Sequence, residues 1–197
     1  MFKNSISIMV LVLFAFTFAF RVSAKGPGDK AEDFSISGID GSKYNLTEGL
    51  GNSQNGVIVI FWSAECPWVQ PYNDRINDYV KDLNEKGFTV WAINANNTES
   101  LDDVKNHAAK NNYAFPMLKD VNNTVADMLG ATRTPEVFLI AKDKTILYHG
   151  RISDNRSKAD QTVYDLGNAA SEVSAGKEVS VKETKSFGCG IKKVGQE

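Results

Sequence analysis

The stretch Val57-Ile58-Val59-Ile60-Phe61-Trp62-Ser63-Ala64-Glu65-Cys66-Pro67-Trp68-Val69 decides how this chain is read. Its first six residues are apolar at every position, the pattern of a strand buried on both faces and so central to a covered sheet. Pro67 suits the first turn of a helix, where its missing N–H costs nothing. Val69, Tyr72, Ile76, Tyr79, Val80 and Leu83 then follow helical spacing as far as Lys86-Gly87, with Pro71 expected to bend the first turns. Cys66 thus falls where a strand hands over to a helix. Unpaired N–H groups and the dipole at a helix N-terminus favour an anion, so a thiolate is expected there, with a pKa below about 8.5. The alternative is a buried structural cysteine.

Working outward, residues 25–33 read as a flexible lead-in. Phe34-Ser35-Ile36-Ser37 alternates apolar and polar, Asp40-Gly41 signals a hairpin turn, and Lys43-Tyr44-Asn45-Leu46 resumes the alternation. Residues 49–56 read as a polar loop. A second buried strand is expected over 88–93, and Ser100-Leu101-Asp102-Asp103 resembles a capping box opening a helix to about residue 111. A short extended piece at 115–118 precedes a short helix at 124–129 closed by Gly130. Strands at 136–141 and 145–149 flank a tight turn, and residues 160–175 can form a last helix. Strands alternating with helices argue for an α/β class with antiparallel strands added late. One domain is expected over 34–175. The polar, lysine-rich tail, 176–197, is expected to be loosely held until Cys189.

The chain has 197 residues with a formal net charge of −2. Residues 1–24 read as a secretory signal: Lys3 supplies a positive start, 6–20 is an apolar run broken by Ser7 and Thr17, and Val22-Ser23-Ala24 offers small residues for cleavage. The run is short against the ~20 residues of a membrane span; an uncleaved anchor is the alternative. Cleavage would remove Lys3, Arg21 and no acid, leaving a net charge of −4. No basic clustering points to nucleic acid, and no stable membrane association is expected after cleavage. An exported protein, periplasmic or secreted, sits where disulfides persist, and two cysteines then make one staple or one redox pair. The second, Cys189, lies between Gly188 and Gly190, which let the tail turn back toward Cys66. His107 and His149 are isolated and make no metal site; no cofactor is expected. Trp68, beside the thiol, is either the lip of a substrate groove or simple packing.

Phe61-Trp62-x-x-x-Cys66-Pro67-x-Val69 resembles the active-site strand and helix of the thioredoxin superfamily, with Val69 in the place of the second cysteine of a C-x-x-C dithiol. Asp33-Phe34, the Asp40-Gly41 turn and Cys66-Pro67 look more like the redoxin branch, the alkyl hydroperoxide reductase C and thiol-specific antioxidant proteins. The closest resemblance is to peroxiredoxin-like single-domain proteins with a C-P-x-V site and a C-terminal G-C-x-I-K, here Cys66-Pro67-Trp68-Val69 and Gly188-Cys189-Gly190-Ile191-Lys192. It covers roughly residues 30–193.

The resemblance implies a thioredoxin-like α/β/α sandwich with a central mixed sheet and an N-terminal β-hairpin. It implies a thiol-dependent oxidoreductase, with Cys66 the nucleophile on a disulfide or a peroxide and Cys189 resolving it. It also implies a cis bond at Thr134-Pro135, where an ordinary trans-proline would otherwise be expected, and a Thr134 backbone able to pair with an extended substrate. Pro67, Trp68, Thr134 and Pro135 then form the substrate groove. Ser63 matches the hydroxyl that peroxiredoxins carry three residues before the cysteine, but Val59 stands where they carry proline. Arg133 and Arg151 are candidates to support the thiolate. The partners implied are an external thiol reductant or a disulfide-bearing protein, with peroxide as another substrate. The competing reading is a non-catalytic binding module with a structural Cys66–Cys189 disulfide.

Overall fold

The computed structural model describes residues 24–195; the expected secretory signal lies almost wholly outside them. The elements in chain order are β1 (Ser35–Gly38), β2 (Lys43–Asn45), α1 (Leu46–Asn52), β3 (Gly56–Phe61), a 3-10 turn (Gln70–Tyr72), α2 (Ile76–Glu85), β4 (Phe88–Asn94), α3 (Leu101–Lys110), β5 (Met117–Lys119), α4 (Thr124–Leu129), β6 (Arg133–Thr134), β7 (Glu136–Ile140), β8 (Ile146–Gly150), α5 (Asp165–Ser174) and β9 (Cys189–Gly190). Seven strands form one mixed sheet in the order β2-β1-β5-β4-β3-β7-β8, while β6 and β9 pair separately. β3 runs parallel to β4 and antiparallel to β7.

The continuous apolar run of β3 has the burial it implies, and its alternate residues divide between two cores. Ile58, Ile60 and Trp62 pack with Val80 and Leu83 of α2 and with Leu166 and Ala170 of α5. Val57, Val59 and Phe61 pack with Leu46 and Leu50 of α1 and with Val125 and Leu129 of α4. This is the thioredoxin-like α/β/α sandwich with an N-terminal hairpin. The Ser100–Asp103 capping box opens α3, and Gly130, at φ +77°, closes α4 in the left-handed conformation a glycine accepts without penalty.

Four local expectations are corrected. Residues 46–52, read partly as strand and partly as polar loop, form α1, because the Asn45 side chain accepts the Glu48 N–H and caps a short helix. The helix expected from Pro67 begins only at Ile76. Prolines at 67 and 71 stand four apart, so Pro71 can neither donate to the Pro67 carbonyl nor fit its ring beneath it. The chain instead makes i−3 bonds: Val69 N to Cys66 O (2.9 Å), Tyr72 N to Val69 O (2.8 Å) and Arg75 N to Tyr72 O (3.0 Å).

The lead-in is also docked: Gly28 N and Ala31 N donate to Ile146 O and Lys144 O, and Ala31 is buried. Nor is the tail loose. His149 exchanges backbone hydrogen bonds with Lys182 and Thr184, Val179 is buried, and Ile191 enters the core beside α4. Most of its lysines are exposed, while Val179 and Ile191 anchor it. Removing the Ile191 anchor should cost about 2 kcal/mol. Ile191→Ala is therefore expected to lower the denaturation midpoint and to speed alkylation of Cys189 in the folded, reduced protein. Unchanged alkylation would show that the tail is held by its other contacts.

Candidate active site

Cys66 follows the end of β3 by five residues and heads the series of tight turns, not an α-helix. Its backbone N–H donates to Ser63 Oγ (3.1 Å). Ser63 Oγ in turn donates to the carboxylate of Glu99, which is almost fully buried. The same carboxylate accepts from Ala64 N (2.7 Å), Asn94 Nδ2 (2.6 Å) and Asn96 Nδ2 (2.6 Å). Lys119 Nζ, donating to Asn94 Oδ1 and Asn96 O at 2.7 Å each, brings a nearby positive charge. A carboxylate with four donors is a stable buried group, and this one shapes the turn that presents the cysteine.

The second element is the segment before β7. Thr134-Pro135 is cis. Glu136 holds the approach to it: Oε2 accepts from Thr132 N (2.8 Å) and Arg133 N (2.9 Å), and Oε1 pairs with His149 Nε2 at 2.7 Å. Burial raises the Glu136 pKa, but the bond to His149 and the two backbone donors outweigh it, and the net shift is downward.

The third element is the tail. β9 pairs antiparallel with β6, Thr134 opposite Cys189 and Arg133 opposite Gly190. The edge expected to receive an extended partner is therefore occupied by the chain's own residues. A Cβ on Gly188 would stand 2.0 Å from Thr134 O, so only glycine admits the tail this closely. Beyond Cys189, Ile191 N donates to Thr132 O (2.9 Å), Lys192 N to Asn96 Oδ1 (2.8 Å) and Asn97 N to Lys192 O (2.7 Å). Asn96 thus joins the tail to Glu99.

These three elements set Cys66 Sγ 2.7 Å from Cys189 Sγ and 3.2 Å from Thr134 O, within reach of a disulfide. The two thiols are unequal. Burial alone would raise the Cys66 pKa. Hydrogen bonds from the Cys189 thiol and from the Cys189 and Trp68 backbone outweigh it, and the pKa falls below the ordinary thiol value. Burial and the Cys66 sulfur push Cys189 up to about 11. Of the two sulfurs, Cys66 is therefore the one that gives up its proton more readily. Their accessibility is unequal too: Cys66 is 2% exposed and Cys189 half-buried.

Pro67 and Trp68 are exposed beside the pair, and Pro67 O accepts from Arg156 Nη1 (3.1 Å). Neither candidate arginine hydrogen-bonds to either sulfur. Arg133 Nη1 reaches Gly188 O (3.2 Å), and Arg151 grips Asp165 with two bonds, 2.8 and 3.2 Å. The expected helix-dipole support is likewise missing, because no α-helix starts at Cys66. His107 lies half-buried against Tyr113, 2.9 Å from its hydroxyl. Glu99, Asn96 and Glu136 were not singled out from the sequence. Only the three-dimensional path brings Asn96 to Glu99, and Glu136 to the Thr132 and Arg133 amides.

Residues 27–149 match the AhpC/TSA family. The chain belongs to the AhpC/TSA family. The family match stops short of Cys189. A structural likeness to the hypothetical protein SMc02350 of Sinorhizobium meliloti 1021 extends further, with a TM-score of 0.79 and 31% identity over 88% of this chain and 97% of that one. A putative thiol:disulfide interchange protein DsbE from Chlorobium tepidum is similar at 25% identity and TM-score 0.55, over 64% of this chain and 85% of that one. Among curated proteins, the thiol-disulfide oxidoreductase ResA of Bacillus cereus is 27% identical over 120 residues, 61% of this chain and 66% of its own length. The chain thus spans just under two thirds of that relative.

If hydrogen bonds across the sulfur pair lower the Cys66 pKa, Cys189→Ala removes a leading support. The pH profile of Cys66 alkylation in the reduced protein is expected to show a midpoint below that of an ordinary thiol in the parent and a higher one in the variant. A midpoint that does not move would place the support elsewhere.

Proposed function

We propose that this chain is an exported thiol-disulfide oxidoreductase in which Cys66 and Cys189 alternate between dithiol and disulfide. The observation that carries this reading is the unequal sulfur pair, 2.7 Å apart against Thr134-Pro135. Its similarity to a protein named for thiol-disulfide exchange supports the same chemistry.

In the reduced state Cys66 is the nucleophile, because the thiolate attacks and its pKa is the lower of the two. Cys66 is covered while the tail is docked, so a disulfide R–S–S–R′ reaches it once Cys189–Gly190 leaves the Thr134 edge. The Cys66 thiolate attacks, the Cys66–S–R bond forms, and R′S⁻ departs and takes up a proton. Cys66 then carries no charge, so the repulsion that raised the Cys189 pKa is relieved. The Cys189 thiolate attacks Cys66 Sγ, the Cys66–Cys189 bond forms, and RS⁻ leaves. With a peroxide, Cys66 would become a sulfenic acid that Cys189 condenses with, releasing water. Exchange is favoured over peroxide reduction because, among the described residues, no guanidinium is hydrogen-bonded to either sulfur, and because Val59 stands in the peroxiredoxin proline position. Export rests on residues 1–24 and predicts a mature chain beginning at Lys25, which mass measurement of the protein from its native host would read.

The reading is tested by following thiol content and turnover in parallel. Dithiothreitol is expected to reduce one disulfide, an added disulfide to re-form it, and Cys189→Ser to stall as a mixed disulfide on Cys66 with turnover lowered at least about tenfold. Undiminished turnover in Cys189→Ser would remove Cys189 from the cycle. No turnover in the parent, with the disulfide intact and inert, would mark the pair as a staple in a binding module. Faster consumption of hydrogen peroxide than of disulfide would shift the reading to a peroxidase.

A further inference from the structure

A cavity of about 320 Å³ is walled by Trp68 and Phe187, each two residues from a cysteine, and by Pro135, Arg151 and Arg156, in the size range of small-molecule sites. Trp68 and Phe187 are large apolar side chains left about 40% exposed at its mouth. The Arg156 guanidinium lies 4.3 Å above the Trp68 ring and has no carboxylate partner among the described residues. Behind the floor residue Tyr72, Arg75 is 3% exposed and likewise without a carboxylate. Its Nη2 donates to Arg156 O (2.8 Å), while Nε and Nη1 have no partner. Arg151 is neutralised by Asp165, and Asp154, the one acid among the lining residues, is bound to Thr162. Three guanidiniums against two carboxylates leave residual positive charge in a concave site with aromatic walls, where fields are focused.

A protein donor would pair with the Arg133–Thr134 edge, but in the docked arrangement Cys189 and Gly190 already hold it. We propose that this cavity binds the electron donor, and that the donor is a small thiol carrying carboxylate groups. The proposal rests on the redox reading above and names the reductant of the same sulfur pair. The bound thiolate RS⁻ attacks Cys189 Sγ, the half-buried sulfur. The RS–Cys189 bond forms, the Cys66–Cys189 bond breaks, and Cys66 leaves with the electron pair. A second RS⁻ attacks the donor sulfur of the mixed disulfide, giving R–S–S–R and returning Cys189, which is protonated. Two thiols are oxidised and one protein disulfide is reduced.

The test uses the whole oxidised protein and three probes, glutathione (anionic), β-mercaptoethanol (neutral) and cysteamine (cationic), with rates of reduction expressed per thiolate. Glutathione is expected to react about tenfold or more faster than cysteamine at low ionic strength, to saturate with concentration, and to lose its advantage in salt. Arg156→Glu, on an exposed side chain, should abolish or invert the order. Phe187→Ala should weaken saturation by glutathione without inverting it. Equal rates for the three probes, or an order unchanged in Arg156→Glu, would overturn the proposal while leaving the redox reading intact if dithiothreitol still cycles the pair. Failure of dithiothreitol to reduce the pair would instead overturn the redox reading and the donor site with it.

Discussion

The buried carboxylate of Glu99 is the contact on which the site's geometry rests. It accepts from Ser63, Ala64, Asn94 and Asn96, groups that come from the turn before Cys66, the end of β4 and the loop after it. Through Asn96 it also reaches the backbone of Lys192. Each of these donors would cost about 1–3 kcal/mol if left buried and unpaired. The network is therefore satisfied as a whole or disrupted as a whole, and it ties the position of the first cysteine to the docking of the tail that carries the second.

What the sequence discloses and what it conceals follow from the range of the interactions. β3 was legible because six apolar residues in a row admit burial on both faces. α3 and α4 were legible because a serine cap and a closing glycine act within one turn. The helix after Cys66 was misread because helical spacing of apolar residues survives in i−3 turns, and only the joint effect of Pro67 and Pro71 breaks the α-helical ladder. α1 was missed because seven residues capped by an asparagine carry little periodicity. Cys66 and Cys189 stood out by rarity and by their glycine and proline neighbours. Glu99 looks in the sequence like one more acid ahead of a capped helix, and Glu136 like the first residue of a strand. Their roles depend on partners up to 36 positions away for Glu99, and no local pattern announces them.

The site also shows how a thiolate can be supported without a helix N-terminus. The tail brings the Cys189 thiol and its backbone amide to the Cys66 sulfur, and with the Trp68 backbone these offset its burial. The stabilising group is therefore the partner sulfur itself, and acidity in one thiol is matched by basicity in the other. Glu136 and His149 steady the edge against which this happens, and the His149 backbone also anchors the tail at Lys182 and Thr184.

That double anchoring has a kinetic meaning. Thr184 is fixed to His149 on one side of Cys189 and Ile191 to Thr132 on the other, so the intervening residues form a short bow whose ends do not wander. When such a bow lifts from its seat it returns from a small volume, and its thiol meets the opposing sulfur at an effective concentration of millimolar or more. No dissolved thiol need compete at that level, and an oxidised Cys66 would be captured before it could drift toward irreversible oxyacids.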